Sequence, residues 1–346
     1  MPGFFTHYIA GKNVLKKTLP QIREKISASE RLYNLGTLGP DIFFYYVPGQ
    51  ILKRSRGLAQ QMHQNDLGIF IESMAREAKN SAQSDCTDFS DSPAAKRDLI
   101  FSYTAGFLMH YILDCHVHPY VYARSFNKSA PKIKNSANHR KFEIAIDSAL
   151  TQIYLREENS TPRHSGLDPE SPPFREENFC ESAQWKLIAA EKNALNVSSE
   201  ALSRALLETY ERKIPAKTVR RAMKFTINAA KILHTEKISH AHDCFCEKNL
   251  HAHDYFCEKN LHARDCSNKK NSSRIFDCLN EKKSPWNTPW SPEIFYDSFM
   301  ERYRRALAEA TNTLESLYAY VYGDLQPKIL AEKLGNRSLK TGQQCA

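Results

Sequence analysis

Apolar residues recur at helical spacing in several stretches of this 346-residue chain. Over residues 8–32, Ile9, Val14, Leu15, Leu19, Ile22 and Ile26 predict a helix. Pro20 breaks or kinks it, because proline lacks the N–H and clashes with the preceding turn. The stretch GTLGPD over 36–41 is turn chemistry and leads into the aromatic run Phe43, Phe44, Tyr45 and Tyr46. A helix is expected over 66–80, then a Ser- and Asp-rich loop over 81–93. Residues 94–118 carry the strongest pattern. Ile100, Phe101, Tyr103, Phe107, Leu108, Met109, Tyr111, Ile112 and Leu113 make that segment apolar nearly all round, which predicts a buried central helix. It is expected to end at His118, since Pro119 biases the residue before it away from helical geometry. Further helices are expected over 137–154, as two short ones within 196–234, and over 292–322. The last has Phe299, Tyr303, Ala306, Ala310, Leu314, Leu317 and Val321 on one stripe.

Two polar stretches interrupt this pattern. Residues 156–185 are rich in Pro, Glu and Ser, a composition that cannot bury a core. Residues 240–271 are an 11-residue tandem repeat, HAHDCFCEKNL, HAHDYFCEKNL and HARDCSNKKN. Three copies of that length are too short for a familiar solenoid unit, and a polar low-complexity tract reads as an expanded surface loop. The organisation expected is one domain. Its first half spans 1–155, an insertion 156–185, completing helices 186–239, a second insertion 240–283, a last helix 284–325 and a tail 326–346.

A hydrophobic content of 41% with 11% aromatics is that of a globular protein and excludes wholesale disorder. The mean hydropathy of −0.56 reflects dilution by the polar stretches. Net charge is +9, and residues 1–150, with 19 basic and 13 acidic side chains, carry +6 of it. That balance suits phosphodiesters, nucleic acid or an anionic membrane surface as partners, but an excess of this size is more commonly just a solvated face. No apolar run reaches the roughly 18 residues of a membrane-spanning helix, so no transmembrane segment is expected. The start, MPGFFTHYIAGKNVLKK, lacks a charged leader followed by an apolar core, so a cytoplasmic location is expected. Nine cysteines, four of them in the repeat, do not form a disulfide framework.

The chemistry concentrates in the first half. His110, Asp114 and His118 stand at i, i+4 and i+8, within about 80° of one helix circumference. A buried carboxylate or imidazole without a partner is costly, and a metal ion would compensate it. The same i, i+4 spacing also serves as ordinary helix-supporting pairs, so spacing alone leaves both readings open. His116 falls on a different face. His139 and Glu143 repeat the i, i+4 pairing, and imidazole with carboxylate is a ligand set zinc accepts at roughly 2.0–2.2 Å. Asp147 continues that face and is placed to orient a ligand. His7 and His63 lie in or beside apolar or aromatic surroundings, and Asp41 sits in a Gly-Pro turn beside four aromatics. The aromatic run either lines a pocket or packs in the core beneath the site.

Taken in order, THY at His7, LGPDIFFYY around Asp41, His63, the HxxxDxxxHPY stretch from His110 and HxxxExxxD from His139 resemble the zinc-dependent phospholipase C family, its intracellular bacterial branch more than its secreted one. The segment SPWNTPWSPEIFYDSFMERYRRALAEA resembles that family's Trp- and Pro-rich lead into a last helix. The resemblance implies an all-α, multi-helix domain of the phospholipase C and single-strand nuclease kind, with a zinc cluster at the base of a cleft. It implies that His63, His110 and Asp41 hold one zinc, with Asp114 bridging to a second that His7 also binds. His118, His139 and Glu143 would hold a third, with His116 as the alternative to His118. Secreted members use an amino-terminal Trp as a ligand where this chain begins with Met1, so the implied count is two or three zinc ions. Ile42 follows Asp41 where choline-specific enzymes carry an aromatic, so choline selectivity does not carry over. The implied activity is hydrolysis of phosphodiester bonds in phospholipids or related phosphoesters. Asp41 would be the proton acceptor or a plain ligand. Peripheral contact with an anionic membrane is compatible with this. The alternatives are a zinc-dependent single-strand nuclease acting on nucleic acid, or a non-catalytic metal-stabilised protein.

Overall fold

A computed structural model describes residues 3–46, 51–82, 92–160, 184–245 and 277–345. The fold is all-α. Among the described residues there are thirteen α-helices and no strand, with only two isolated antiparallel bridges, Trp286 with Phe295 and Arg337 with Gln344.

The amino-terminal pattern resolves into three helices, α1 (Phe4–Lys17), α2 (Pro20–Ser27) and α3 (Glu30–Gly36). Pro20 opens α2 at its first turn, where a missing N–H is harmless. A second break, at Ala28 and Ser29, has no proline to announce it. A 3₁₀ turn (Gly39–Asp41) leads into α4 (Ile42–Tyr45), α5 (Ile51–Gln64) and α6 (Leu67–Ser81). Most of the loop expected over 81–93 lies outside the described residues.

The central helix, α7 (Pro93–Ser125), is capped by Ser92, whose hydroxyl accepts from the Ala95 N–H. It does not stop at His118 as expected but runs seven residues further, with Pro119 inside it. Pro119 removes only the bond to the Cys115 carbonyl, and the backbone of Gly342 covers that oxygen. The neighbouring His116 carbonyl accepts from Arg302 Nη1 at 3.0 Å. Tertiary packing thus supplies what the proline takes away, and Tyr120 and Val121 stay buried on the extended helix.

The remaining helices are α8 (Lys132–Ser160), α9 (Gln184–Ile188), α10 (Lys192–Tyr210), α11 (Ala216–Phe245), α12 (Phe299–Tyr322) and α13 (Pro327–Leu334). α8 is longer than expected at both ends and takes in the first residues of the polar stretch assigned to 156–185. The rest of that stretch to residue 183, and the repeat beyond residue 245, lie outside the described residues. The two helices expected within 196–234 are present as α10 and α11, both longer than their pattern suggested. α12 starts at Phe299 rather than at 292. Ser298 and Glu301 form a reciprocal capping box there, and residues before it pair as the Trp286–Phe295 bridge. The carboxy-terminal segment expected as a tail holds α13 and a further folded turn.

α7 packs most extensively against α6, α12 and α3, while α1 and α8 lie together beside it. No helix among the described residues is long and apolar enough to cross a membrane.

Candidate metal centre

The helical repeat of α7 sets His110, Asp114 and His118 on one face, with His110 and Asp114 fully buried. Asp114 Oδ2 lies 3.1 Å from His110 Nε2 and 3.4 Å from His118 Nδ1. Its Oδ1 lies 3.3 Å from His7 Nε2 on α1, and the His7 ring stacks on His110 with centroids 4.3 Å apart. The start of α1 is held by Asp147 of α8, which accepts from Phe5 N (3.3 Å), Thr6 N (2.9 Å) and Thr6 Oγ1 (2.5 Å). Asp147 therefore orients the helix turn that carries His7 rather than an imidazole directly.

Two further elements close on this face. The 3₁₀ turn and α5 bring Asp41 Oδ1 to 3.2 Å from His63 Nε2. Backbone carbonyls anchor the far sides of the rings, Ala59 O at 2.7 Å from His63 Nδ1 and Thr37 O at 3.1 Å from His110 Nδ1. Those contacts place Nδ1–H on both rings and leave Nε2 as the atom that could face a metal. From α8, Glu143 Oε1 lies 3.0 Å from His139 Nε2 and 3.5 Å from His118 Nε2. Three sets of ligand-type atoms fall within 4.8 Å of one another: His7 with His110 and Asp114, Asp41 with His63 and His110, and His118 with His139 and Glu143. All eight residues singled out in the sequence are therefore brought together. His116 is not among them. Its Nε2 lies 2.7 Å from Glu309 Oε2 of α12, beside a separate cavity of about 250 Å³ also lined by Trp290, Arg302 and Arg337.

The electrostatics are those of buried carboxylates ringed by imidazoles. Burial pushes the Asp114 carboxyl up, but the imidazoles of His118, His110 and His7 outweigh it and hold the group well below the usual range. Burial likewise opposes ionisation of Glu143, yet His139 and the hydrogen bond from His118 hold it down to about 2. His118, which burial alone would depress, is pushed up to about 9 by Asp114 and Glu143. Burial raises Asp147 to about 6 against the three hydrogen bonds it accepts. Glu143 Oε2 is buried without a hydrogen-bond partner, at a cost of about 1–3 kcal/mol in a dry protein interior. His110 Nε2 and Asp114 Oδ1 face Asp114 Oδ2 and His7 Nε2, in contacts without hydrogen-bond alignment. These are the nitrogen and carboxylate donors zinc takes, so the residues present fit a bound metal.

Some neighbours carried no motif. The aromatic run divides: Phe43 is core, Phe44 packs on the His63 ring at 5.1 Å, and Tyr45 stands where the carboxylates of Asp41, Glu143 and Asp147 add to burial in raising its phenol. Tyr122 packs on His139 at 4.6 Å and on Trp290 at 5.6 Å, and the Lys340 ammonium lies over both Tyr122 and Trp290. Tyr122 is one turn beyond His118 on the same face. A helix ended at His118 hides that signal; a helix carried through Pro119 exposes it.

A family model described as zinc dependent phospholipase C matches residues 6–194, more than half of the chain and a span holding all eight clustered residues. No curated protein and no solved structure matches the chain.

Proposed function

Because the chain belongs to the zinc-dependent phospholipase C family, we propose that it hydrolyses phosphodiester bonds, with phospholipids or related phosphoesters as substrates and two or three zinc ions per chain. The observation that carries this reading is Asp114, a carboxylate fully buried under the imidazoles of His7, His110 and His118. A protein interior holds such a cluster at a cost, and that cost is recovered when the cluster binds cations.

His7, Asp41, His63, His110 and Asp114 would hold one or two of the ions, and His118, His139 and Glu143 another. Zinc bound there supplies Lewis acidity to phosphoryl oxygens and makes water a competent nucleophile at neutral pH. Asp41 takes the role of proton acceptor. It is paired with a single imidazole, that of His63, whereas Asp114 is faced by three and Glu143 by two. Thr37 O and Ala59 O keep His110 and His63 in one tautomer, so their protons do not compete for that acceptor. The basic balance of residues 1–150 attracts an anionic substrate or an anionic membrane surface.

A second reading, a single-strand nuclease, is favoured by the Tyr122–Trp290 pair with Lys340 above it, since aromatic faces beside a cation can stack bases along a polyanion. The test loads the chain with zinc and compares a chromogenic phosphocholine ester and phospholipid vesicles with single-stranded DNA. Hydrolysis of the ester and the vesicles, with the DNA intact, is expected. Cleavage of the DNA alone would turn the assignment to the nuclease. Cleavage of neither, with zinc bound, would leave a metal-stabilised protein without catalysis.

A further inference from the structure

Residues 335–345 lie beyond the span shared with the family, yet they fold into a closed strap after α13. Arg337 and Gln344 pair across a bridge, Ser338 N donates to Gln343 O (2.9 Å), Gly342 N to Ser338 O (2.8 Å) and Cys345 N to Asn336 O (2.7 Å). Leu339, at the tip, is fully buried. The strap is tied to the bundle on several sides. Asn336 Nδ2 donates to Asp66 Oδ1 (3.0 Å), Arg337 N donates to the Tyr111 hydroxyl (2.8 Å), and the Arg337 guanidinium pairs with Glu309 of α12. Gly342, at φ +68°, lies so close to α7 that a Cβ would stand 2.3 Å from the Cys115 carbonyl oxygen.

The strap reaches the metal centre at two points. Leu339 O lies 3.2 Å from His118 Nδ1, and Ser338 Oγ donates to the His63 carbonyl at 3.2 Å. A carbonyl only accepts, so the Leu339 contact requires a proton on His118 Nδ1 and leaves Nε2 facing Glu143 and His139. Asp114 Oδ2 is also 3.4 Å from Nδ1, but the same oxygen lies nearer to His110 Nε2, at 3.1 Å.

Building on the zinc reading above, we propose that the 335–345 strap is a positioning element of the metal centre. The Leu339 carbonyl fixes His118 in the tautomer that presents Nε2 to the His139–Glu143 set. The Ser338 hydroxyl holds the end of α5 that carries His63. Pro119 is part of this device, because the carbonyl it releases is the surface on which Gly342 seats the strap.

The test begins with the unaltered chain, using ¹⁵N–¹H spectra of the imidazoles with and without zinc. His118 is expected to keep its proton on Nδ1 in both states, and to carry none on Nε2 in the zinc-loaded chain. The reverse tautomer, with Nε2 protonated in the zinc-loaded chain, would overturn the proposal. Gly342→Ala drives a methyl group against the Cys115 carbonyl and lifts the strap. Competition with a chromophoric chelator should then show one zinc bound about 10- to 100-fold more weakly. Zinc affinity unchanged in Gly342→Ala would equally overturn it. Should that variant fail to fold, the tautomer of the unaltered chain decides. A chain that binds no zinc at all refutes the zinc reading instead. The metal-free spectra of the unaltered chain and of Gly342→Ala then still decide: a His118 Nδ1–H resonance that does not move when the strap is lifted would overturn the contact with the Leu339 carbonyl.

Discussion

Gly36 and Gly106 meet where α3 crosses α7, so closely that a Cβ on Gly106 would stand 2.1 Å from the Tyr33 carbonyl oxygen. A Cβ on Gly36 would stand 2.3 Å from that of Tyr103. This crossing sets the metal centre one turn further along. Thr37 follows Gly36 and His110 lies four residues after Gly106, and there the Thr37 carbonyl accepts from His110 Nδ1 at 3.1 Å. Gly106→Ala is expected to push α3 off α7, destabilising the fold by about 1–3 kcal/mol as overpacking does. It should also weaken zinc binding through the displaced Thr37 carbonyl. Thermal unfolding and zinc titration of the variant check both. Undiminished stability would show that the crossing relaxes without cost.

Asp114→Asn keeps the shape of the side chain and removes the charge that faces His7, His110 and His118. Loss of at least one zinc ion per chain is expected, measured by elemental analysis after exhaustive dialysis. Metal content equal to that of the unaltered chain would sink the assignment of the cluster.

Five of the ligand-type residues were legible because they share helix faces, and face membership follows from spacing alone; His7, Asp41 and His63 stood out only through the ordered resemblance to the family. His110, Asp114 and His118 needed only the helical period, as did His139 and Glu143. What spacing cannot give is which faces meet. His7 reaches Asp114 because Asp147 pins α1 to α8, a contact across more than 140 residues of chain. His63 and His110 owe their orientation to the carbonyls of Ala59 and Thr37, and a backbone atom leaves no mark in a sequence. The one local rule that misled was the proline. Pro119 does disfavour helical geometry at His118, but burial of Tyr120 and Val121 and the cover over the Cys115 carbonyl outweigh that preference. The error also concealed Tyr122 and the docking surface of the carboxy-terminal strap.

The His118–Glu143 pair predicts a distinctive pH dependence for the metal-free chain. Glu143 is depressed from 4.5 to about 2, so its contribution is present above pH 4.5 and is lost as pH falls toward 2. His118 is raised from 6.5 to about 9, so its contribution is present below pH 6.5 and is lost as pH rises through 9. With zinc removed by a chelator, the unfolding temperature should therefore decline between pH 6.5 and 9. With zinc loaded, the metal replaces the proton on His118 and that decline should flatten. Identical slopes in the two states would place the metal away from His118.

Asp147→Ala separates the His7 contact from the rest of the cluster. Asp147 is buried and accepts from the Phe5 and Thr6 N–H groups and from the Thr6 hydroxyl. Those N–H groups belong to the first turn of α1, where no carbonyl of the helix itself can satisfy them. Removing the carboxylate leaves them without an acceptor, at about 1–3 kcal/mol for a buried donor. The turn then loses its tie to α8, and His7 loses its fixed place 3.3 Å from Asp114. His118, His139 and Glu143 sit on α7 and on the preceding two turns of α8, and none of them depends on that tie. The expected outcome is a chain that unfolds a few degrees earlier and holds one zinc ion fewer, while the His118 set keeps its metal. Zinc stoichiometry and the imidazole spectra of His139 and His118 report the two halves independently. Full zinc content in Asp147→Ala would mean that His7 is held at the cluster by its stacking on His110 alone.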